Sequence, residues 1–264
     1  TKSIAHKYLT NIRNLNVELS SDLRTTGIYD KERKKCFPAL VAFARDKYGN
    51  ITGGQHILLD KDTGGKADID IPKKSFGKIS GAFVDLGNTN TKANKNNSDI
   101  TIIAEGLETG LSVKQALSEH GEKEKNTTTN TKIKTLCSLG ISNIKNYAPS
   151  KGEKIIIASD NDGKDSITDK TIENARSILK EKGAFVEIVK PEKYGDFNDV
   201  LQLNGGSKVI ADCFKHSIAK HSAITVDKYL ELSGSSTTLS KEEKSDLSYL
   251  EKYNIDQKKL VDSY

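Results

Sequence analysis

The fold of this chain is decided by one short stretch, Ile102-Ile103-Ala104-Glu105-Gly106-Leu107-Glu108-Thr109. Its apolar residues predict the end of a buried strand, which stops at an acid and a glycine, and residues 108–119 then show the apolar spacing of a helix. A strand that turns directly into a helix is typical of a parallel sheet covered by helices. We therefore expect an α/β domain around this stretch.

The same alternation continues towards the C-terminus. Residues 135–139, 154–158 and 184–189 predict three more strands, with helices between and after them. Beyond residue 216 the pattern predicts helices joined by a flexible linker at Ser233-Gly234-Ser235-Ser236-Thr237-Thr238. The second half of the chain is therefore predicted to be one α/β unit with a helical tail.

The first part of the chain has a different pattern. Residues 1–20 predict a helix, because apolar residues recur every three or four positions. Residues 37–44 and 55–59 predict an antiparallel hairpin, and residues 81–86 predict a further strand that ends this region. Residues 87–98 are rich in Asn and Thr and predict a loop or domain boundary.

Acidic residues follow three of the predicted strands. They are Glu105, Asp160, Asp162, Asp196 and Asp199. The carboxyl ends of parallel strands meet at one edge of the sheet, so we expect these side chains to converge. Crowded carboxylates raise one another's pKa unless a cation is present, and oxygen ligands without His or Cys favour Mg²⁺ or Mn²⁺. Singly, each acidic stretch is ordinary turn chemistry, whereas together they predict a metal site.

Three stretches resemble motifs of a known family. Residues 102–109 are similar to the first motif of the Toprim domain, a hydrophobic strand ending in Glu-Gly, and residues 156–163 resemble its second motif, a strand ending in Asp-x-Asp. Residues 195–201, Gly-Asp-Phe-Asn-Asp-Val-Leu, are similar to the ending of Toprim domains in primase-like proteins of phages, plasmids and conjugative elements. The family includes primases, topoisomerases and some nucleases.

The resemblance extends upstream, because a pattern like residues 37–41, 54–56 and 73–77 precedes the Toprim domain in those proteins. It implies a Toprim-type parallel sheet flanked by helices, preceded by a smaller α+β domain and followed by a helical tail. The boundaries that we predict are 1–95 for a basic N-terminal domain, 96–212 for the Toprim domain and 213–264 for a helical extension or linker.

The resemblance also implies roles for the acidic residues. Glu105 would be the general acid or base and would lie at the metal, while Asp160 and Asp162 would coordinate Mg²⁺ or Mn²⁺. A third ligand would come from the last cluster, with Asp196 the first choice and Asp199 the second. The bound ions would lower the pKa of an attacking hydroxyl and neutralise charge on the leaving group.

Positive charge is concentrated in the first part of the chain. Residues 1–100 have a net charge of +6 and residues 101–264 one of −1. A basic segment beside a carboxylate-rich one is typical of an enzyme that acts on a polyanion, but a solvated lysine-rich surface explains the charge equally well. On the first interpretation a nucleic-acid template would be held by Arg24, Arg33, Lys34, Lys35, Lys73, Lys74 and Lys78. His56 is interpreted as a structural histidine.

The resemblance leaves three activities open. A primase-like enzyme would make a short RNA primer on single-stranded DNA from nucleoside triphosphates, with helicase or relaxase domains of the same longer chain as further partners. A Toprim nuclease would use the same metal site to hydrolyse phosphodiesters. A DNA-binding accessory region of a conjugative relaxase would keep the fold without catalysis. A topoisomerase needs a nucleophilic tyrosine, and none of the nine tyrosines lies in such a motif.

The composition indicates the compartment. The three cysteines form no CxxC pair, so neither a zinc site nor a disulfide framework is expected. The longest apolar runs are only a few residues long, against about 20 for a membrane span, and no signal peptide opens the sequence. We expect a cytoplasmic protein. Methionine is absent even at position 1, which is typical of a fragment or a processed chain.

Overall fold

The computed structural model describes residues 3–16, 18–89, 100–121, 132–163, 166–193 and 195–233. These residues form one sheet of four strands and one of five. The first sheet is antiparallel throughout, whereas four strands of the second are parallel and are flanked by helices. The predicted fold class is confirmed.

The four-stranded sheet is a meander. Its strands are β1 (Leu23–Asp30), β2 (Lys35–Arg45), β3 (Ile51–Leu58) and β4 (Lys73–Gly77), and they lie in sequence order. The predicted hairpin is β2 and β3, joined by a turn in which Asp46 accepts hydrogen bonds from the backbone N–H groups of Tyr48 and Asn50. Strands β1 and β4 were not predicted.

The predicted helix over residues 1–20 is too long. Helix α1 covers Ile4–Lys7 and continues as a π-helical turn over Tyr8–Ile12. The chain then leaves the helix because Asn14 adopts a left-handed conformation, with φ of 54°. Leu15 is nevertheless buried, as its apolar spacing predicted.

The five-stranded sheet contains β5 (Val84–Asn88), β6 (Ile100–Ala104), β7 (Ile133–Cys137), β8 (Lys154–Ala158) and β9 (Phe185–Val189). The strand order is β5-β7-β6-β8-β9. All the neighbouring pairs are parallel except β5 with β7. Strands β6 and β8 therefore lie side by side at the centre of the sheet, and their carboxyl ends share one edge.

Five helical segments follow these strands. They are α2 (Leu107–Gly121), a 3₁₀ turn (Ile141–Asn146), α3 (Ile167–Glu181), α4 (Phe197–Leu201) and α5 (Gly206–Ser233). Helix α5 begins before the predicted tail at residue 213, and the predicted linker after Ser233 lies outside the described residues. None of the described helices is long and apolar enough to span a membrane.

Strand β5 differs from the sequence interpretation. Residues 81–86 were predicted to end the first region, but Val84–Asn88 pairs antiparallel with β7 in the second sheet. A single antiparallel β-bridge pairs Arg45, at the end of β2, with Phe83, just before β5, and so links the two sheets. Most of the predicted boundary loop, residues 90–98, lies outside the described residues, and the predicted domain boundaries stay a prediction.

One hydrophobic core joins the two sheets. It contains Leu40 and Ile57 of the first sheet, Ile102 of the second, and Leu111 of α2. Helix α2 is buried along most of its length, because it packs on the second sheet and is covered by α4 and α5. The two sheets are therefore packed as one body, and residues from both can reach the edge where β6 and β8 end.

Candidate functional site: a carboxylate crevice

Glu105 and Asp160 lie just beyond the carboxyl ends of two neighbouring strands, β6 and β8. Glu105 directly follows Ala104, the last residue of β6, whereas Asp160 lies two residues after Ala158, the last residue of β8, and those two alanines are paired in the parallel register. The sequence predicted this placement, because strand ends of a parallel sheet share one edge. We call the space at this edge the carboxylate crevice.

Asp160 is the most perturbed acid in the crevice. Burial raises its pKa to about 7, and the charges of Glu105, Asp196 and Asp162 add to the shift. One hydrogen bond opposes it, because the Thr109 hydroxyl donates to Asp160 Oδ1 at 3.3 Å. All three predicted acidic clusters therefore act on one carboxyl group, which means that the fold brings them together.

Glu105 lies in the same field. Burial raises its pKa and so does the charge of Asp162, whereas the ammonium group of Lys73 and a hydrogen bond from the backbone N–H of Ile141 lower it. Lys73 belongs to β4 of the first sheet. The crevice is thus formed by the parallel sheet and by a cation that the antiparallel sheet supplies.

The third acidic cluster caps helix α4. Asp196 Oδ1 accepts a hydrogen bond from the backbone N–H of Asp199 at 2.8 Å, and Asp199 Oδ2 accepts one from the N–H of Asp196 at 3.2 Å. This reciprocal capping box fixes the start of the helix. Gly195 is required there, since its φ is 119° and a Cβ would lie 2.8 Å from Asp199 Oδ2.

The second and third acidic clusters are joined through the backbone. Asn161 and Gly195 exchange two N–H to carbonyl hydrogen bonds of 2.9 and 3.1 Å. Asp162 is oriented by the hydroxyl of Thr168, which donates to its Oδ2 at 2.5 Å. These contacts hold the loops after β8 and β9 against each other.

The chemistry of the crevice suits a site for Mg²⁺. Among the described residues, no three His, Cys, Asp or Glu side chains are already arranged to hold a metal ion. The donor chemistry nevertheless fits a hard cation, because the acids are all oxygen ligands and their mutual repulsion raises the pKa of Asp160. Mg²⁺ in nucleotide enzymes is held by one or two carboxylates together with water and phosphate, so a complete protein cage is not needed.

A buried polar chain beside the crevice was missed by the sequence analysis. Glu108 is 7% exposed, accepts a hydrogen bond from the Tyr8 hydroxyl at 2.6 Å and pairs with Lys66 at 3.2 Å. Arg13 Nε donates to the same hydroxyl at 3.1 Å. Burial would raise the pKa of Glu108, but Lys66 and Tyr8 outweigh it and hold the pKa below its usual value. Glu108 lies in the stretch quoted first, so its acid was visible in the sequence.

Asn198 belongs to the acidic stretch Gly195-Asp196-Phe197-Asn198-Asp199 but has a structural role. It is fully buried, and its amide donates to the carbonyl oxygen of Arg13 at 2.9 Å and to the hydroxyl of Ser112 at 3.0 Å. It therefore ties α4 to α2 and to the N-terminal segment. Helix α4, which Asp196 caps and which contains Asp199, is therefore held in place by α2 and by the N-terminal segment.

The basic residues predicted to hold a template do not form one patch. Arg33, Lys34 and Lys35 lie at the turn from β1 to β2, where Arg33 pairs with Asp30 at 3.1 Å and Lys35 lies over the Phe37 ring. The other four lie elsewhere on this four-stranded sheet, with Arg24 on β1, Lys73 and Lys74 on β4, and Lys78 just after β4. Of these four residues, Lys73 lowers the pKa of Glu105. Binding of nucleic acid by all seven basic residues stays a prediction.

Two family models match the sequence. Residues 100–207 match the Toprim domain, and residues 1–86 match a domain of unknown function, DUF7146. No curated protein matches the chain.

Solved primase structures are similar at low sequence identity. The primase fragment of the bacteriophage T7 primase-helicase protein is 22% identical, with a TM-score of 0.39, over 67% of this chain and 62% of that one. The zinc-binding and RNA polymerase domains of Aquifex aeolicus primase are 12% identical, with a TM-score of 0.41, over 92% of this chain and 58% of that one. This chain thus spans about three fifths of the length of these structures.

Proposed function

We propose that this chain, whose residues 100–207 form a Toprim domain, is a primase-like nucleotidyltransferase that extends RNA on single-stranded DNA with Mg²⁺ or Mn²⁺. One observation carries the proposal. The pKa of Asp160 is raised to about 7 by burial and by acids from the ends of three different strands. A fold that gathers carboxylates against their own repulsion is typical of a site for a divalent cation and a phosphate substrate.

The residues divide into two roles in this proposal. Asp160, Asp162 and Asp196 hold the metal, with Asp199 as the alternative to Asp196. The chemistry that a bound divalent cation supplies is charge neutralisation at the transferring phosphate. Glu105 takes the proton from the attacking 3′-hydroxyl, and its raised pKa makes the carboxylate a stronger base than an ordinary glutamate.

Lys73 supports both roles from the opposite side of the crevice. It lowers the pKa of Glu105, so its ammonium group lies within electrostatic reach of the carboxylates. A cation in this position suits the phosphates of an incoming nucleoside triphosphate or of the template.

The biological setting follows from the same proposal. The substrates are single-stranded DNA and nucleoside triphosphates in the cytoplasm, and the source is a phage, plasmid or conjugative element. Helicase or relaxase domains of a longer chain are the proposed partners. A Toprim nuclease and a non-catalytic DNA-binding region of a relaxase are the two alternatives that the experiment must separate from primer synthesis.

The test is primer synthesis from labelled nucleoside triphosphates on a single-stranded template with Mg²⁺. Wild type should give short products, and Glu105→Gln should abolish them. The matched control is Glu173→Gln, which removes an exposed acid of α3 that pairs only at the surface with Arg176. Template cleavage without nucleotides would replace the proposal with the nuclease. Template binding with neither synthesis nor cleavage would replace it with the accessory DNA-binding region.

A further inference from the structure

The outer face of the four-stranded sheet carries a compact set of aromatic and basic side chains. The antiparallel register places Arg24, Val41, His56 and Lys74 in one row across the four strands, since each is paired with the next. Phe43, Gly54 and Phe76 form the adjacent row on the same face. We call Arg24, Phe43, His56, Lys74 and Phe76 the outer platform.

The platform lies opposite to the core that joins the two sheets. Leu40, Ala42 and Ile57 alternate with the platform residues along β2 and β3, and these three pack in that shared core. The other end of the outer face is covered, because Ala67 packs on Phe37 and on its neighbours there. The platform residues remain partly or fully exposed, and Phe76 is 38% exposed.

Two of the three aromatic rings on this face are nearly parallel. The planes of His56 and Phe76 differ by only 17°, and their centroids are 6.3 Å apart. Phe43 meets Phe76 edge-on at 6.2 Å and supports it from the side. A Cβ on Gly54 would lie 2.8 Å from Cζ of Phe76, so the ring rests on the backbone where the sheet has no side chain. Two adjacent rings thus present similarly oriented faces.

The charges around the rings suit a polyanion. Arg24 and Lys74 are exposed at the two ends of the row. Asp22 lies opposite Phe43 in the adjacent row, but its carboxylate is buried and pairs with Arg45 at 2.8 Å. Burial and the neighbouring Lys74 lower the pKa of His56, which favours the neutral form of its ring. A neutral ring is a stacking surface, while the two flanking cations are available to phosphates.

Single-stranded nucleic acid presents flat faces and regularly spaced negative charges together. In a single nucleic-acid strand the base faces are open for stacking and the phosphates lie on one side, whereas in a duplex the base faces are covered by their neighbours. We propose that the outer platform binds single-stranded nucleic acid, with bases stacked on Phe76 and His56 and with phosphates at Arg24 and Lys74. This proposal rests on the proposed function in one respect, which is that the bound strand is taken to be the template for primer synthesis.

This platform is separate from the carboxylate crevice. Lys73 and Lys74 are neighbours on β4, so their side chains point to opposite faces of the sheet. Lys73 lowers the pKa of Glu105 in the crevice, whereas Lys74 lowers the pKa of His56 on the platform. A strand held on the platform would therefore pass over the β4 edge to reach the crevice.

The test is the affinity for a fluorescently labelled oligothymidine of about 12 nucleotides, within the range of single-strand sites, measured by anisotropy without metal. Phe76→Leu keeps an apolar cover over Gly54 but removes the flat ring, and it should weaken binding about tenfold. The matched control is Tyr48→Leu, which removes a ring that is 77% exposed outside the platform; it should leave the affinity unchanged. Lys74→Gln should reduce the slope of log affinity against log salt by about 0.7.

Two results would overturn the platform. One is equal affinity for wild type and Phe76→Leu when thermal melting shows that both are folded. The other is a wild type that binds no single strand, which would leave the face to a protein partner. Failure of the proposed function would look different. If wild type made no primer but still bound the single strand more tightly than Phe76→Leu does, catalysis would be rejected and the platform would stand.

Discussion

Replacing Asp160 with Asn should stabilise the metal-free protein at alkaline pH. In the folded state burial and neighbouring acids raise the pKa of Asp160 from 3.8 to about 7. The contribution of this carboxyl group to folding stability is therefore fully present below its pKa in the unfolded state. It is lost as the pH rises through its pKa in the folded state. The full shift of about three units corresponds to about 4 kcal/mol, and solvent screening at this partly open site reduces it to about 1–2 kcal/mol.

The assay is urea unfolding with a chelator at about pH 8 and about pH 5, on opposite sides of the folded pKa. Asp160→Asn should be more stable than wild type by about 1–2 kcal/mol at the higher pH, and the difference should shrink at the lower pH, where the wild-type carboxyl is protonated. The control is Asp68→Asn in an exposed loop. Adding Mg²⁺ should stabilise wild type and leave the variant nearly unchanged.

Two outcomes would refute this reasoning. If Asp160→Asn were less stable than wild type at alkaline pH, the carboxylate would not be repelled by its neighbours. If the difference were the same at both pH values, titration of Asp160 would not be its cause.

Three further substitutions test the packing that holds the site. Tyr8→Phe should lower the free energy of unfolding by about 1–2 kcal/mol, because its hydroxyl donates to a buried carboxylate; an equal loss in the exposed Tyr48→Phe would contradict this. Asn198→Ala should cost about 2–3 kcal/mol in urea unfolding, since it leaves buried polar groups unpaired, and a neutral result would remove its structural role. Gly110→Ala should cost about 1–3 kcal/mol and lower the melting temperature, because its Cβ would lie 2.6 Å from Leu86 Cδ1; unchanged melting would show that Leu86 moves freely.

The central strands could be predicted because a continuous apolar run in the sequence indicates a strand that is buried on both faces. Ile100–Ala104 and Lys154–Ala158 are short apolar runs that are covered on both faces. The sequence correctly predicted the end of the first strand and both bounds of the second. Leu23–Asp30 and Lys73–Gly77 were missed, since nearly all their residues are exposed and lack an alternating pattern. Such strands are defined by the partners with which they pair.

The over-long first helix has a similar cause. Apolar spacing continued to Leu15, but the backbone around Asn14 and Asn16 is held by the side chain of Gln115 in α2. A contact across about a hundred residues thus overrides the local pattern. Long-range contacts of this kind have no signature in a local window of sequence.

The candidate site was predictable to the extent that topology alone determines it. Glu105, Asp160 and Asp196 follow strands or begin helices at one edge of a parallel sheet, so their order along the chain sufficed to bring them together. The contact between Tyr8 and Glu108 joins residues one hundred positions apart, and no spacing rule connects them. The catalytic and ligand roles of the acids stay predictions.

The most direct test of the account is Mg²⁺ binding, measured by calorimetry in the presence of single-stranded DNA and a nucleoside triphosphate. The account predicts that wild type binds the ion and that Asp160→Asn/Asp162→Asn does not, because the substitutions remove two of the proposed ligands while the backbone link between Asn161 and Gly195 remains. Equal binding by wild type and the double variant, or no binding by wild type under these conditions, would contradict the carboxylate crevice as a catalytic metal site.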